Sequence, residues 1–162
     1  DVEAVRDMEA GFSRRSRLVS GEMTSLYRKQ RSAFDKEGVM DDRAFSEVLR
    51  DAVEDYARQG DAVIVGRGGQ MILRDWPNVL HVRLYAAEEI RAQRLMAREG
   101  IPEAVALRRV QQSDEQKRQF IRQMFNNADW RSLKYYTLAI DTGRIPIEAA
   151  AKIIILAARA LG

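Results

Sequence analysis

Two groups of residues in this chain could do chemistry on a phosphate. The first is Gly66-Arg67-Gly68-Gly69, which follows the apolar run Ala62-Val63-Ile64-Val65. Glycines let a chain turn sharply and bring backbone N–H groups close to a ligand. A guanidinium placed there is planar, permanently charged and suited to a phosphate's paired oxygens. The plainer alternative is a tight turn whose arginine is solvated, since short glycine patterns are unspecific.

The second group is basic and helical. Arg91, Arg94 and Arg98 recur at spacings of three and four, which puts them on one helix face. Arg108, Arg109, Lys117, Arg118 and Arg122 follow. One reading is a solvated helix whose arginines pair with Glu88, Glu89, Glu99 and Glu103. The other is a mobile cover over a polyphosphate, because this region lies between two βα loops. Asp114 with Lys117 and Arg118 is either an intrahelical ion-pair group or a carboxylate holding two cations toward a phosphate in transfer. Trp130, Tyr135 and Tyr136 could stack on a base or serve as core. His81 sits within an expected strand and is given no role.

The elements that must position these residues can be read from periodicity. Ala62 to Val65 is rich in β-branched residues without polar alternation, as expected of a strand buried on both faces of a parallel sheet. Arg67 would then stand at the carboxyl end of a strand, where open α/β sheets bind ligands. Val79 to Tyr85 and Tyr136 to Ile140 read as two further strands. Helices are expected from about Asp42 to Gly60, Ala87 to Arg98 and Pro102 to Phe125. A last helix follows Pro146, with Ile147, Ala150, Ile154, Ala158 and Leu161 as its inward stripe. Met71-Ile72-Leu73 reads as a short helix or turn. Alternating strands and helices imply βαβ units and an α/β fold with a parallel sheet flanked by helices. The expected organisation is one domain over 1–162, with a helical region at 1–40 and a βα core at 41–162 carrying a basic lid at about 87–125.

Composition narrows the chemistry. The 162 residues are 46% hydrophobic, so they can bury a core. No apolar run approaches the roughly 20 residues that span a bilayer. Without cysteine and with one histidine, thiol catalysis and cysteine- or histidine-cluster metal sites are excluded, and no metal ligands are assigned. A cytoplasmic protein without membrane contact is expected. Net charge is only +3, from 27 basic and 24 acidic residues, which argues against a general nucleic-acid binder. Five of the basic residues are lysine and the rest arginine, the better phosphate ligand.

The order of these features resembles the cytidylate-kinase-like family of P-loop phosphotransferases. The features are Gly66-Arg67-Gly68-Gly69, the strand through His81-Val82-Arg83-Leu84, and the helix with Glu89, Arg91 and Arg94. Ser113-Asp114 with Lys117 and Phe120 follow, then Tyr136 through Ile140-Asp141-Thr142-Gly143. The resemblance covers roughly Asp51 to Leu161. It implies a P-loop-kinase-like fold and transfer of the ATP γ-phosphate, with Mg²⁺, to a nucleoside monophosphate such as CMP. It also implies roles: Arg67 with Gly66, Gly68 and Gly69 for the acceptor's phosphate, Arg91 and Arg94 for the lid over the donor, and Asp141-Thr142 near the donor base. Asp114 and Lys117 match an aspartate-x-x-arginine position with lysine in place of arginine, and Arg118 is the candidate to share its role.

One departure is large. The P-loop pattern Gly-x-x-x-x-Gly-Lys-Ser/Thr is missing, and no Gly-Lys pair occurs anywhere in the chain. The expectation is therefore that the first strand and its loop lie upstream of Asp1, with no turnover by these residues alone. Two other readings stay open. One is a non-catalytic nucleotide- or anion-binding regulatory module around Arg67 and Arg118. The other is an interaction protein that dimerises through N-terminal helices bearing Met8, Phe12, Met23 and Leu26.

Overall fold

The computed structural model describes residues 42–161, with side chains from Ser46 onward. The N-terminal helices expected before Lys36, and the dimer face drawn on them, lie outside the described residues. The chain divides into two compact units, one ending at Leu73 and the other beginning at Arg74.

In the first unit, α1 spans Asp42–Gln59 and α2 spans Gly69–Ile72. Helix α1 buries Leu49 and Val53, while Val48 remains exposed. Burying one face of a helix in this way supplies most of its stability, because propensity alone is weak. Ile72 and Leu73 are also buried. The expected strand at Ala62–Val65 does not form. These residues belong to no ladder among the described residues, and Val65 is 60% exposed. An apolar, β-branched run expresses a preference for burial, but a strand exists only where another strand lies alongside to take its hydrogen bonds.

The second unit runs β1 (Val82–Tyr85), α3 (Glu88–Glu99), α4 (Glu103–Met124), a 3₁₀ turn (Leu133–Tyr135), β2 (Leu138–Asp141) and α5 (Ile147–Leu161). It is a mixed α/β arrangement with a small sheet. β1 and β2 pair in parallel, Val82 opposite Leu138 and Tyr85 opposite Asp141. At the carboxyl end of the strands, the Thr142 amide and hydroxyl both donate to the Tyr85 carbonyl, at 2.8 and 3.1 Å.

Helices α3 and α4 form a hairpin. Gly100 closes α3 in the left-handed conformation, φ 65°, and its amide donates to Met96. Pro102 then opens α4, accepting from Val105 and Ala106. A three-residue connection forces the helices to be neighbours. Their contact is built on Ala92, Ala106 and Val110, with Leu95, Met96, Ile101 and Leu107 packed around them. The small side chains let the backbones approach closely.

The inward stripe expected on α5 is only partly realised. Ala150 is buried and Ile154 half-buried, whereas Ile147 is 61% exposed and Ala158 and Leu161 are exposed. A 15-residue helix is roughly 22 Å long. Strands of four residues offer roughly 13 Å. Among the described residues the helix is therefore longer than the strands. No helix among them is long and apolar enough to cross a membrane.

Candidate functional site

In the first unit, the glycine–arginine turn is a run of three left-handed residues: Gly66 at φ 76°, Arg67 at 57° and Gly68 at 71°. Glycine takes this conformation without cost, but a side chain there is strained. The Gly66 carbonyl accepts from Gly69, and the Gly68 carbonyl accepts from Met71 and Ile72, so the turn runs straight into α2. Gly68 and Gly69 are buried and Arg67 is half-buried.

In the second unit, the basic residues divide by partner. Arg91 on α3 donates through both terminal nitrogens to Asp114 on α4, each at 2.8 Å. The pair is partly buried, with side-chain exposures of 30% and 17%. The hydrogen bond from Arg91 holds the Asp114 carboxyl below its usual range, and Asp114 in turn raises Arg91. Asp114 thus bonds to a second helix, while Lys117 on its own helix still acts on its charge. Arg91 is the immediate neighbour of the buried Ala92, and Asp114 lies one turn beyond Val110, so the hairpin contact brings the two charges face to face.

Arg94, one turn further along α3, donates to the Thr142 hydroxyl at 3.1 Å and to its carbonyl at 2.5 Å. Asp141 accepts from the Gly143 amide at 2.9 Å and so shapes the turn after β2. Arg94, given to the donor's lid by resemblance, and Thr142, given to the donor base, are therefore in direct contact at the ends of the strands. Arg118 pairs with Glu115 at 2.5 Å in an exposed contact within α4. Arg98 and Arg109 both pair with Glu99, as the solvated-helix reading expects.

Lys117 takes a different partner. Its ammonium lies 4.1 Å from the centre of the Trp130 ring. Although the residue is exposed by surface area, the protein crowds its ammonium enough to push its pKa down. Desolvation is the main cause, and Arg83 and Arg91 push in the same direction against Asp114. Two further cations share the indole: the Arg83 guanidinium is 5.3 Å and that of Arg131 5.5 Å from the ring centre. Arg83 also lies over Tyr85 and Tyr136 and donates to the Arg131 carbonyl. Trp130 is buried, and its carbonyl accepts from the Tyr136 hydroxyl at 2.8 Å.

Arg83 and Arg131 were not among the residues singled out for chemistry, whereas Trp130 was read as a base-stacking or core residue. Arg83 lies in a strand where alternation marks it as one face among many, and Arg131 is an isolated cation in a loop. The available signal was the crowding of Trp130, Tyr135 and Tyr136 near basic residues, which suits cation–π contacts. Among the described residues no three His, Asp or Glu side chains converge to hold a metal ion.

Comparison with known proteins agrees with this arrangement of elements. A cytidylate kinase from Methanocaldococcus jannaschii is 32% identical over 111 residues, covering 67% of this chain and 61% of that enzyme. A crystal structure of an uncharacterized protein from Eubacterium ventriosum superposes with a TM-score of 0.63 at 23% identity, over 74% of this chain and 65% of that one. The chain thus spans less than two thirds of each of these relatives. The profile of the cytidylate kinase-like family matches residues 2–144, nearly the whole chain, and the chain belongs to that family.

Proposed function

We propose that this chain is the acceptor-binding and lid portion of a nucleoside-monophosphate kinase. It would serve transfer of the ATP γ-phosphate to CMP or a similar nucleotide, within a P-loop-kinase-like fold. One observation carries the reading: the family match runs through every candidate position from Gly66 to Thr142. In such a transfer an oxygen of the acceptor's phosphate bonds to the γ-phosphorus. The bond from that phosphorus to the β–γ bridging oxygen breaks, and ADP leaves. Positioning and charge neutralisation supply nearly all the catalysis.

The chain's own groups suit those tasks. Arg67, held by a strained turn, would present its guanidinium to the acceptor's phosphate. Asp114 fixes the orientation of Arg91, and Thr142 that of Arg94, so two lid cations are pre-oriented instead of waving in solvent. Lys117 keeps a point charge where the family pattern has a guanidinium. Mg²⁺ would enter with the donor's phosphates, since in kinase sites it is held by substrate phosphates and waters with only one or two carboxylates from the protein.

The test is CDP formation from CMP and ATP by the full-length natural protein, alongside Arg67→Ala. The expected outcome is turnover that falls at least tenfold in the variant. CMP binding without any CDP formation would instead support the non-catalytic module, a reading favoured by the lack of a Gly-Lys pair in these 162 residues.

A further inference from the structure

We propose that Arg83, Lys117 and Arg131, gathered round the Trp130 indole, form a phosphate subsite of their own. It goes beyond the kinase reading, because Arg83 and Arg131 belong to none of the roles given above and no phosphate was assigned to Trp130, and it does not depend on that reading.

The first reason is charge balance. Three cations lie within 6 Å of one ring centre, at 4.1, 5.3 and 5.5 Å. Among the described residues none of the three has an ion-pair partner. Asp114 is the carboxylate that feels Lys117 and Arg131, but both its oxygens are engaged by Arg91. Asp129 spends one oxygen on the Arg131 amide rather than on its guanidinium. Like charges this close repel one another, and the faces of an aromatic ring offset that only in part.

The second reason is unused hydrogen-bonding capacity. Arg83 donates one terminal N–H to the Arg131 carbonyl, while its Nε is buried with no partner. A buried, unsatisfied donor on a charged group is costly. Lys117 is desolvated and repelled by Arg83 and Arg91 without a hydrogen-bonding partner among the described residues. A phosphate brings negative charge and several acceptor oxygens, and so answers both deficits.

The third reason is rigidity. Trp130 is only 9% exposed and is tied through its carbonyl to Tyr136, so the ring is a fixed plate. Arg83 bonds to the backbone of Arg131 and holds that loop to β1. The cations therefore start in place, which lowers the ordering cost of binding.

The Trp130 indole N–H resonance in ¹⁵N-labelled full chain reports directly on this site, with its assignment fixed by Trp130→Phe. Inorganic pyrophosphate and metal-free ATP are titrated separately, with adenosine as the uncharged control. The expected result is a saturable shift of Trp130 with the two phosphoanions and none with adenosine. Lys117→Gln and Arg131→Gln should each weaken the binding about tenfold, and Arg159→Gln should leave it unchanged. Tighter binding of ATP than of pyrophosphate would identify a nucleotide's phosphate chain as the ligand, and the reverse order a free phosphoanion. Should the variants fail to fold, protection of Lys117 from acylation by pyrophosphate in the unmodified chain answers the same question. No Trp130 shift and no protection of Lys117 would overturn the subsite, as would a shift that both glutamine variants leave unaltered. Pyrophosphate binding without CDP formation would defeat the kinase reading alone, whereas CDP formation without any Trp130 response would defeat the subsite alone.

Discussion

Arg91 and Asp114 join the two helices of the α3–α4 hairpin through a pair of parallel hydrogen bonds, each 2.8 Å long. The contact is bidentate, partly buried and beside the small-residue core of Ala92, Ala106 and Val110. It fixes the rotation of one helix against the other as well as the direction of a guanidinium.

Removing one partner should therefore cost more than an exposed ion pair would. Asp114→Asn or Arg91→Met is expected to lower unfolding stability by about 1–3 kcal/mol, because each leaves a charged or polar group without its partner. Denaturant titration measures this. The Asp114 carboxyl is held below its ordinary 3.8, so its contribution is present above that pH and is lost as pH falls through the depressed value. The gap between the unmodified chain and Asp114→Asn should hold steady from neutrality into mild acid and close only below about pH 3.8. A gap that closes nearer neutrality would contradict the pairing.

Lys117 should lose its proton more readily than a free lysine, since desolvation and the nearby Arg83 and Arg91 all disfavour its charge. Its acylation rate, followed by mass spectrometry across pH, is expected to rise at a lower pH than that of a lysine peptide. Asp114 opposes this shift, so Asp114→Asn should move the Lys117 profile further down. Arg83→Gln should move it back up.

At Gly143, a Cβ would fall 2.8 Å from Ile90 Cδ1 and 3.0 Å from Asp141 Oδ1. Both neighbours would have to move, and Asp141 is engaged by the Gly143 amide. Gly143→Ala should destabilise the fold by about 1–3 kcal/mol, the usual range for overpacking. An unchanged thermal midpoint would show that Ile90 can yield freely.

Arg67 gives a prediction of opposite sign. It is a non-glycine residue at φ 57° between two left-handed glycines. Arg67→Gly should relieve strain and leave stability equal or up to about 1 kcal/mol higher. The same change should weaken CMP binding at least tenfold if the guanidinium grips the acceptor's phosphate. Calorimetric titration beside a thermal melt checks both, and loss of stability together with unchanged affinity would remove Arg67 from the site.

The amino-acid sequence by itself determined most of the local structure. Periodicity located α1, α3, α4 and α5 to within a few residues, and Gly100 with Pro102 marked the hairpin bend. It also put Arg91 and Arg94 on a common face, because spacing along a helix settles which residues are neighbours there. What spacing cannot settle is a partner on another element. Asp114 looked toward Lys117 and Arg118 in its own helix, but the hairpin offered Arg91, whose guanidinium meets both carboxylate oxygens at once. Arg83 was one residue of a short strand until the parallel sheet and the loop before β2 placed it against Tyr85, Trp130 and Tyr136. Ala62–Val65 carried every local mark of a strand, yet a ladder needs a second chain segment, and none of the described residues provides it. Local sequence sets which conformations are cheap, and tertiary packing decides which groups meet, because charge pairing and strand pairing both depend on segments distant in the chain.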